Sequence, residues 1–198
     1  MVDPTSNLSP VDFTLITFLR EPLVRCASHY QDLVQRNGLE LPFADWISRE
    51  ENQDLSVRII SGSDDLEKAK KLLKNDYLFV GITEYFKESL QLLQVKMNGE
   101  LNLQHRKLIV AKNNTIKENI LNDPESLRLL NQYNALDLEL YRYALEEIFL
   151  PDLQRYSREI EQIHVPDESS WTGHERKFRR SKRFNKLVYR QLIKILKK

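Results

Sequence analysis

A short apolar segment that leads directly into a proline-initiated helix is the feature that most constrains how this chain folds. Residues 13–19 (Phe-Thr-Leu-Ile-Thr-Phe-Leu) are all apolar, aromatic or β-branched, which predicts a strand apolar on both faces, as in a parallel sheet covered by helices. Pro22 then stands where a helix places its first residue. A strand, a turn and a helix make half of a βαβ unit, so the sequence predicts an α/β fold. The helix has an apolar stripe at helical spacing, formed by Leu23, Cys26, Ala27, Tyr30, Leu33 and Val34.

The turn between this strand and helix contains residue types that bind anions. Arg20 closes the strand beside the N–H groups that a helix leaves unpaired at its start, and open α/β sheets bind ligands at such turns. Arg25 and Ser28 lie three positions apart and therefore share one helix face. A guanidinium, a hydroxyl and a helix N-terminus together suit a phosphate-like dianion. The alternative is that Arg20 only ends a buried strand and that Ser28 is a small packing residue.

Four segments, in the same order, resemble one enzyme family. Residues 19–30 (L-R-E-P-L-V-R-C-A-S-H-Y) are similar to the 3′-phosphate-binding segment of sulfotransferases that use 3′-phosphoadenosine 5′-phosphosulfate (PAPS). The similarity is to the group that includes heparan sulfate 2-O-sulfotransferase and its bacterial relatives. Residues 52–62, 79–90 and 134–141 resemble later segments of the same family. The resemblance extends from residue 13 to about residue 150.

The resemblance implies a fold, a co-substrate and a set of binding residues. The implied fold is a partial P-loop-type three-layer sandwich, in which a small, mainly parallel sheet is flanked by helices and the C-terminal half is rich in helix. PAPS would be the co-substrate, without a metal, and its sulfuryl group would pass to a hydroxyl acceptor on a carbohydrate. Arg20, Arg25 and Ser28 would bind the nucleotide, while no catalytic base is assigned. Lys112 and Lys117 join this set because a basic loop at that place in the family contributes to the nucleotide site; the alternative is an ordinary polar turn.

For three further residues, the sequence is compatible with either a functional or a structural role. Trp46 could stack on a sugar ring of the acceptor or complete the core. By resemblance Arg58 could line the cofactor or acceptor pocket, or it could be an ion-paired surface residue. Glu84 could be functional, although a glutamate in the first turn of a helix is stabilised by the helix dipole alone.

The family's 5′-phosphosulfate loop has no counterpart in this sequence. That loop contains Gly and Lys and should precede residue 13, but residues 1–10 contain neither, and the five glycines are isolated from one another. We therefore expect residues 1–164 to form a sulfotransferase-like domain without the first strand and this loop. Such a domain would bind the product nucleotide weakly and transfer no sulfuryl group. Two alternatives stay open: a non-catalytic interaction or scaffold protein that kept the core, or a longer natural protein that is a complete enzyme.

Charge is divided unevenly along the chain. Residues 176–198 contain eleven Lys or Arg and no acidic residue, which leaves 19 basic and 29 acidic residues in the remainder. The apolar spacing predicts a basic amphipathic helix over 176–198, after a linker over 165–175. This helix could lie on anionic lipid, bind an acidic polymer or dock on its own domain; no specific nucleic acid is expected. Because no apolar stretch approaches ~20 residues and no secretory signal opens the chain, we expect a cytoplasmic or peripheral membrane location.

The remaining patterns predict a chain rich in helices. Its single cysteine excludes an intramolecular disulfide. Thr83 is predicted to cap a helix whose inward face is formed by Phe86, Leu90, Leu93 and Met97. The other predicted helices span 42–49, 63–74, 124–133 and 137–148, the last resuming after Pro151 to about residue 163. Two further strands are predicted over 77–82 and 107–111, and Gly81 in the first of them would let backbone or a ligand approach closely.

Overall fold

Two parallel strands lie at the centre of the fold. The computed structural model describes residues 14–99, 101–103 and 113–166. Strand β1 (Leu15–Leu19) pairs with strand β2 (Tyr77–Ile82), with Phe18 opposite Gly81 and Leu19 opposite Ile82. Their carboxyl ends therefore meet at the same edge of the sheet. With 69% of the described residues in helices and this small parallel sheet, the fold is mixed α/β.

Helices make up the rest of the described chain. Four of them connect β1 to β2, as a parallel pair requires. A 3₁₀ turn over Thr83–Tyr85 follows β2, and a π-helical stretch spans Ala144–Phe149. The helices are α1 (Pro22–Asn37), α2 (Phe43–Ile47), α3 (Leu55–Ser61), α4 (Leu66–Asn75), α5 (Phe86–Lys96), α6 (Thr115–Asn122), α7 (Pro124–Tyr133), α8 (Ala135–Tyr143), α9 (Leu150–Arg155) and α10 (Ser157–Glu161).

Apolar side chains form two clusters. The first lies between the sheet and α4, α5, α8 and the π-helical stretch, and includes Phe79, Leu92 and Phe149. The second lies where α1 packs on α2, α6 and α7. Trp46 belongs to the second cluster and is only 4% exposed, with its ring beside that of Tyr30. Its role is therefore in the core, and stacking on a sugar ring is excluded by its burial.

Helices α3 and α8 begin beside each other and cap one another. The Asp137 carboxylate of α8 accepts hydrogen bonds from the backbone N–H groups of Ser56 (3.0 Å) and Val57 (2.8 Å) in α3. In return, the Asp54 carboxylate, directly before α3, accepts from the backbone N–H of Asp137 (3.0 Å). Asp54 adopts a left-handed conformation (φ 39°), and burial raises the pKa of its carboxyl. Each aspartate thus satisfies N–H groups that a helix start leaves without an intrahelical partner.

The sheet differs from the prediction of a strand buried on both faces. Leu15 and Ile16 are 42% and 49% exposed, and only the carboxyl end of β1, at Leu19, is fully buried. The reason is that β1 packs mainly on β2 among the described elements, whereas α4, α5 and the π-helical stretch pack on β2. The predicted strand over 107–111 lies outside the described residues.

Helix boundaries near β2 and Pro151 also differ from the predictions. Thr83 does not cap α5, because it starts the 3₁₀ turn and its hydroxyl donates to the carbonyl of Leu19 (3.0 Å). Phe86 is 39% exposed, and Leu92 and Leu93 bury the inward face of α5. Pro151 lies in the first turn of α9, directly after the π-helical stretch, so the helical path continues through it.

Within the described residues, no helix combines the length and the apolar character needed to cross a bilayer. The predicted linker over 165–175 is described only at its first two residues, and the predicted basic helix over 176–198 lies outside the described part of the chain.

Candidate functional site

The turn after β1 is held by the turn after β2. The hydroxyl of Thr83 donates to the carbonyl of Leu19 (3.0 Å), and the backbone N–H of Glu21 donates to Oε1 of Glu84 (3.0 Å). The other carboxylate oxygen of Glu84, Oε2, accepts from the hydroxyl of Tyr141 in α8 (2.9 Å). Burial, followed by the hydrogen bond to Glu84, raises the pKa of Tyr141. Arg20 therefore lies in a turn that both strands and α8 keep in place.

The start of α1 is capped from within the chain. The carboxylate of Glu21 accepts from the backbone N–H groups of Leu23 (3.2 Å) and Val24 (2.6 Å). Both N–H groups belong to the helix start that was predicted to form part of an anion site. With Glu21 in this position, an anion at the turn would bind to side chains rather than to these amides.

We expect Glu21→Ala to lower the free energy of unfolding by about 1 kcal/mol, since the variant loses this capping carboxylate. Urea denaturation followed by circular dichroism measures the loss. Glu21→Gln keeps one side-chain oxygen as an acceptor and should lose less. Equal stability of the alanine variant and the wild type would contradict the capping role.

Two of the predicted site residues, Arg20 and Ser28, have side chains whose polar groups are all unused among the described residues. Arg20 directly follows β1, and Ser28 lies in the second turn of α1; both are half-buried. Within the described part of the chain, neither side chain has a hydrogen-bond or ion-pair partner. A guanidinium and a hydroxyl in this state can still bind a ligand.

Arg25, the third predicted residue, is used inside the fold. Its guanidinium donates to the Asn134 side-chain oxygen (3.2 Å) and to the Asp137 carboxylate (3.1 Å). The Asp137 side chain is completely buried, whereas that of Arg25 is 20% exposed. Nε of Arg25 is buried without a hydrogen-bond partner. Arg25 shares a helix face with Ser28, as predicted from their spacing, but in this structure it joins α1 to α8.

The start of α6 lies against the face of α1 that contains Ser28. The backbone N–H of Lys117 donates to the side-chain oxygen of Gln31 (3.0 Å), and the Gln35 amide donates to the side-chain oxygen of Asn113 (3.0 Å). Gln31 is three positions from Ser28 and therefore on the same face. Lys117 itself is in the first turn of α6 rather than in a loop, because the helix already begins at residue 115. Lys112 lies outside the described residues.

His29 and Arg58 both interact with other side chains of the fold. His29 contacts the ring of Trp46 at a centroid distance of 5.5 Å, and burial followed by the charge of Arg25 lowers the pKa of His29. Arg58 pairs with Glu50 (3.4 Å) and Asp64 (3.4 Å), and it also lines an open cleft of about 460 Å³ formed by Glu51, α3 and residues 62–64. The ion pairs agree with the interpretation of Arg58 as an ion-paired residue, and its place in a cofactor or acceptor pocket stays a prediction.

The hydrogen bonds of Thr83 and Tyr141 were not predicted from the sequence. Glu84 was predicted to be a candidate functional residue, but its hydrogen-bond partners, Glu21 and Tyr141, lie 63 and 57 positions away along the chain. In the sequence, Thr83 directly follows a strand and Tyr141 lies four residues after Asp137, and both fall in segments that resemble the family. Among residues 14–99, 101–103 and 113–166, no group of three His, Cys, Asp or Glu side chains is placed to hold a metal ion.

Comparisons of the chain with protein-family models, curated proteins and solved structures gave no match. The features of the chain that bear on function are therefore those of the β1–α1 turn and of α1. Arg20 offers a guanidinium and Ser28 a hydroxyl, both of them donor groups that suit the oxygens of an anion.

Proposed function

We propose that this chain is a PAPS-dependent sulfotransferase-type protein that binds the 3′-phosphate of the nucleotide through Arg20 and Ser28. One observation carries the proposal. An arginine at the carboxyl end of a parallel strand and a serine on the following helix are both half-buried and lack partners in the described part of the chain. Open α/β sheets bind ligands at this edge.

Charge and geometry favour a phosphate monoester over a neutral ligand. Arginine binds phosphate through a planar set of donors, and hydrogen bonds to a charged partner are stronger than neutral ones. The hydroxyl of Ser28 adds a second donor from α1. Lys117, at the start of α6, is held against the same helix through its backbone N–H and Gln31. Its ammonium group would add a positive charge near the nucleotide, together with Lys112.

Arg25 supports this site indirectly. Its bonds to Asp137 and Asn134 fix α1 against α8 and keep Arg25 itself from the ligand. The face of α1 that contains Ser28 therefore has a fixed position relative to the turn that contains Arg20. We propose that Arg25 holds the helix in place for nucleotide binding rather than contacting the phosphate.

The finer fold and the reaction follow as parts of the same proposal. The β1–α1 unit and β2 would belong to a P-loop-type three-layer sandwich. PAPS supplies an activated sulfuryl group, which the family transfers to a hydroxyl, here on a carbohydrate acceptor. Arg20 and Ser28 would bind and orient the nucleotide. The basic segment over 176–198 would contact a membrane surface or an acidic polymer.

Isothermal titration calorimetry with adenosine 3′,5′-bisphosphate (PAP) tests the proposal. We expect Arg20→Ala and Ser28→Ala each to weaken PAP binding about 10- to 150-fold, which corresponds to about 1.5–3 kcal/mol for a hydrogen bond to a charged group. Adenosine 5′-monophosphate (AMP), which lacks the 3′-phosphate, should bind equally to the wild type and both variants.

Arg158→Ala is the matched control, because Arg158 is an exposed arginine on α10. Its PAP affinity should equal that of the wild type. Absence of PAP binding by the wild type, or equal losses for Arg20→Ala and Arg158→Ala, would contradict the proposal and favour a non-catalytic interaction protein.

A further inference from the structure

We infer that Thr83 and Glu84 are positioning residues that orient Arg20 toward the 3′-phosphate, and that Tyr141 holds Glu84 in place. This inference rests on the proposed function, because it assigns a task to residues that surround the proposed phosphate-binding arginine. These residues do not contact the nucleotide in the proposal. They act through the backbone of Arg20.

The two peptide groups that adjoin Arg20 are both bound by the turn after β2. The carbonyl of Leu19, on the N-terminal side of Arg20, accepts from the hydroxyl of Thr83 (3.0 Å). The N–H of Glu21, on the C-terminal side, donates to the carboxylate of Glu84 (3.0 Å). The relative orientation of these two peptide groups is set by the φ and ψ angles of Arg20. Binding both groups to consecutive residues of one turn therefore fixes the direction in which the Arg20 side chain leaves the backbone.

The sheet register makes this arrangement possible. Leu19 pairs with Ile82 as the last residues of the two parallel strands. The residues that follow each strand, Arg20 and Thr83, therefore emerge side by side at the same edge. The Thr83–Tyr85 turn delays the start of α5 and leaves Thr83 and Glu84 beside the β1–α1 turn.

Glu84 is suited to this role because both groups that face it are donors. Its Oε1 accepts from a backbone N–H and its Oε2 accepts from the hydroxyl of Tyr141 (2.9 Å). An ionised carboxylate is an acceptor at both oxygens, whereas an amide offers one acceptor and one donor. Since the pKa of Tyr141 is raised, its hydroxyl keeps the proton that it donates to Glu84 at neutral pH.

Tyr141 connects the Glu84 carboxylate to α8. It is four residues after Asp137 on that helix and therefore on the same face. Asp137 binds Arg25 of α1, and Tyr141 binds Glu84 at the turn. One face of α8 thus holds both the helix that contains Ser28 and the turn that contains Arg20.

The sign of the effect separates positioning from electrostatics. A carboxylate near a phosphate repels it, so electrostatics alone predicts that removal of the Glu84 charge tightens PAP binding. Positioning predicts the opposite for Glu84→Ala, with PAP affinity falling about 10-fold. Glu84→Gln should stay within about 3-fold of the wild type, because its side-chain oxygen can still accept from Glu21 while the Tyr141 hydroxyl accepts from its amide.

The test measures PAP and AMP affinities by calorimetry for Thr83→Val, Glu84→Ala, Glu84→Gln and Tyr141→Phe. Tyr143→Phe is the matched control on α8, two residues further along, and should leave PAP affinity unchanged. We expect the alanine, valine and Tyr141 variants to lose PAP affinity and to keep AMP affinity. Thermal unfolding by circular dichroism confirms that each variant is folded before titration.

A double-mutant cycle decides whether Glu84 acts through Arg20. We expect Glu84→Ala to have no further effect on PAP affinity in the Arg20→Ala protein, since the group that it positions is gone. Losses that multiply in the double variant would overturn the inference, as would tighter PAP binding by Glu84→Ala. If Arg20→Ala weakens PAP binding and Glu84→Ala does not, only this inference fails. If the wild type does not bind PAP, both the proposed function and the inference fail.

Discussion

Replacing Asp137 with alanine is expected to lower the free energy of unfolding by about 3–5 kcal/mol, the cost of breaking a buried ion pair from one side. The carboxylate is completely buried and binds the Arg25 guanidinium together with the N–H groups of Ser56 and Val57. Its removal leaves the Arg25 charge with the neutral Asn134 oxygen and leaves the start of α3 without its cap. Urea denaturation at neutral pH measures the effect.

Glu139→Ala provides the matched control for this result. Glu139 lies two residues further along α8, and its exposed carboxylate pairs with Lys70 (2.7 Å). An exposed ion pair contributes about 1 kcal/mol or less. If Asp137→Ala costs no more than Glu139→Ala, the buried network does not stabilise the fold as the contacts indicate.

The second large effect is expected at Gly81, where alanine should destabilise the protein by about 1–3 kcal/mol through overpacking. A Cβ atom added at Gly81 would lie 2.7 Å from Cδ1 of Phe18 and 2.8 Å from Cε1 of Phe79. Both rings belong to the packed interior of the sheet, with their centroids 5.4 Å apart. Glycine is therefore needed for the close approach of two aromatic rings to the backbone.

Rescue by a smaller neighbour tests this explanation. Phe18→Leu should restore part of the stability lost in Gly81→Ala, so that the two substitutions together cost less than the sum of their separate effects. Gly38→Ala is the control, because Gly38 has φ +67° and no atom within 4 Å of the added Cβ. The stability lost in Gly38→Ala arises from backbone strain, so it should be the same with and without Phe18→Leu. Strict additivity of Gly81→Ala and Phe18→Leu would contradict the clash.

Local sequence signals predicted the elements around the site. The apolar segment before Arg20 and Pro22 at the helix start define the end of β1 and the beginning of α1 closely. Strand β2 begins and ends at the predicted residues, and Gly81 is closely approached, although by the side-chain rings of Phe18 and Phe79 rather than by backbone or a ligand as predicted. These features depend on backbone preferences and on the alternation of apolar side chains, which neighbouring residues determine.

The partners of the site residues could not be predicted from such signals. Arg25 shares a helix face with Ser28, but its ion pair is with a residue 112 positions later. The spacing of polar residues cannot reveal which distant carboxylate approaches a given arginine. The capping role of Glu21 could not be predicted either, because a glutamate before a helix can bind the free N–H groups of the helix or leave them to a ligand. The roles assigned to Arg20, Ser28 and Lys117 remain predictions that PAP titration tests.

The mutual capping of α3 and α8 has a consequence for how the protein opens. If α3 unwinds, the Asp137 carboxylate loses two of its donors, and if α8 unwinds, Asp54 loses the N–H that it binds. Neither helix start can fray without weakening the other, although they lie about 80 positions apart in the chain. Amide hydrogen exchange at Val57 and Asp137 should therefore report a single cooperative opening event with one common free energy.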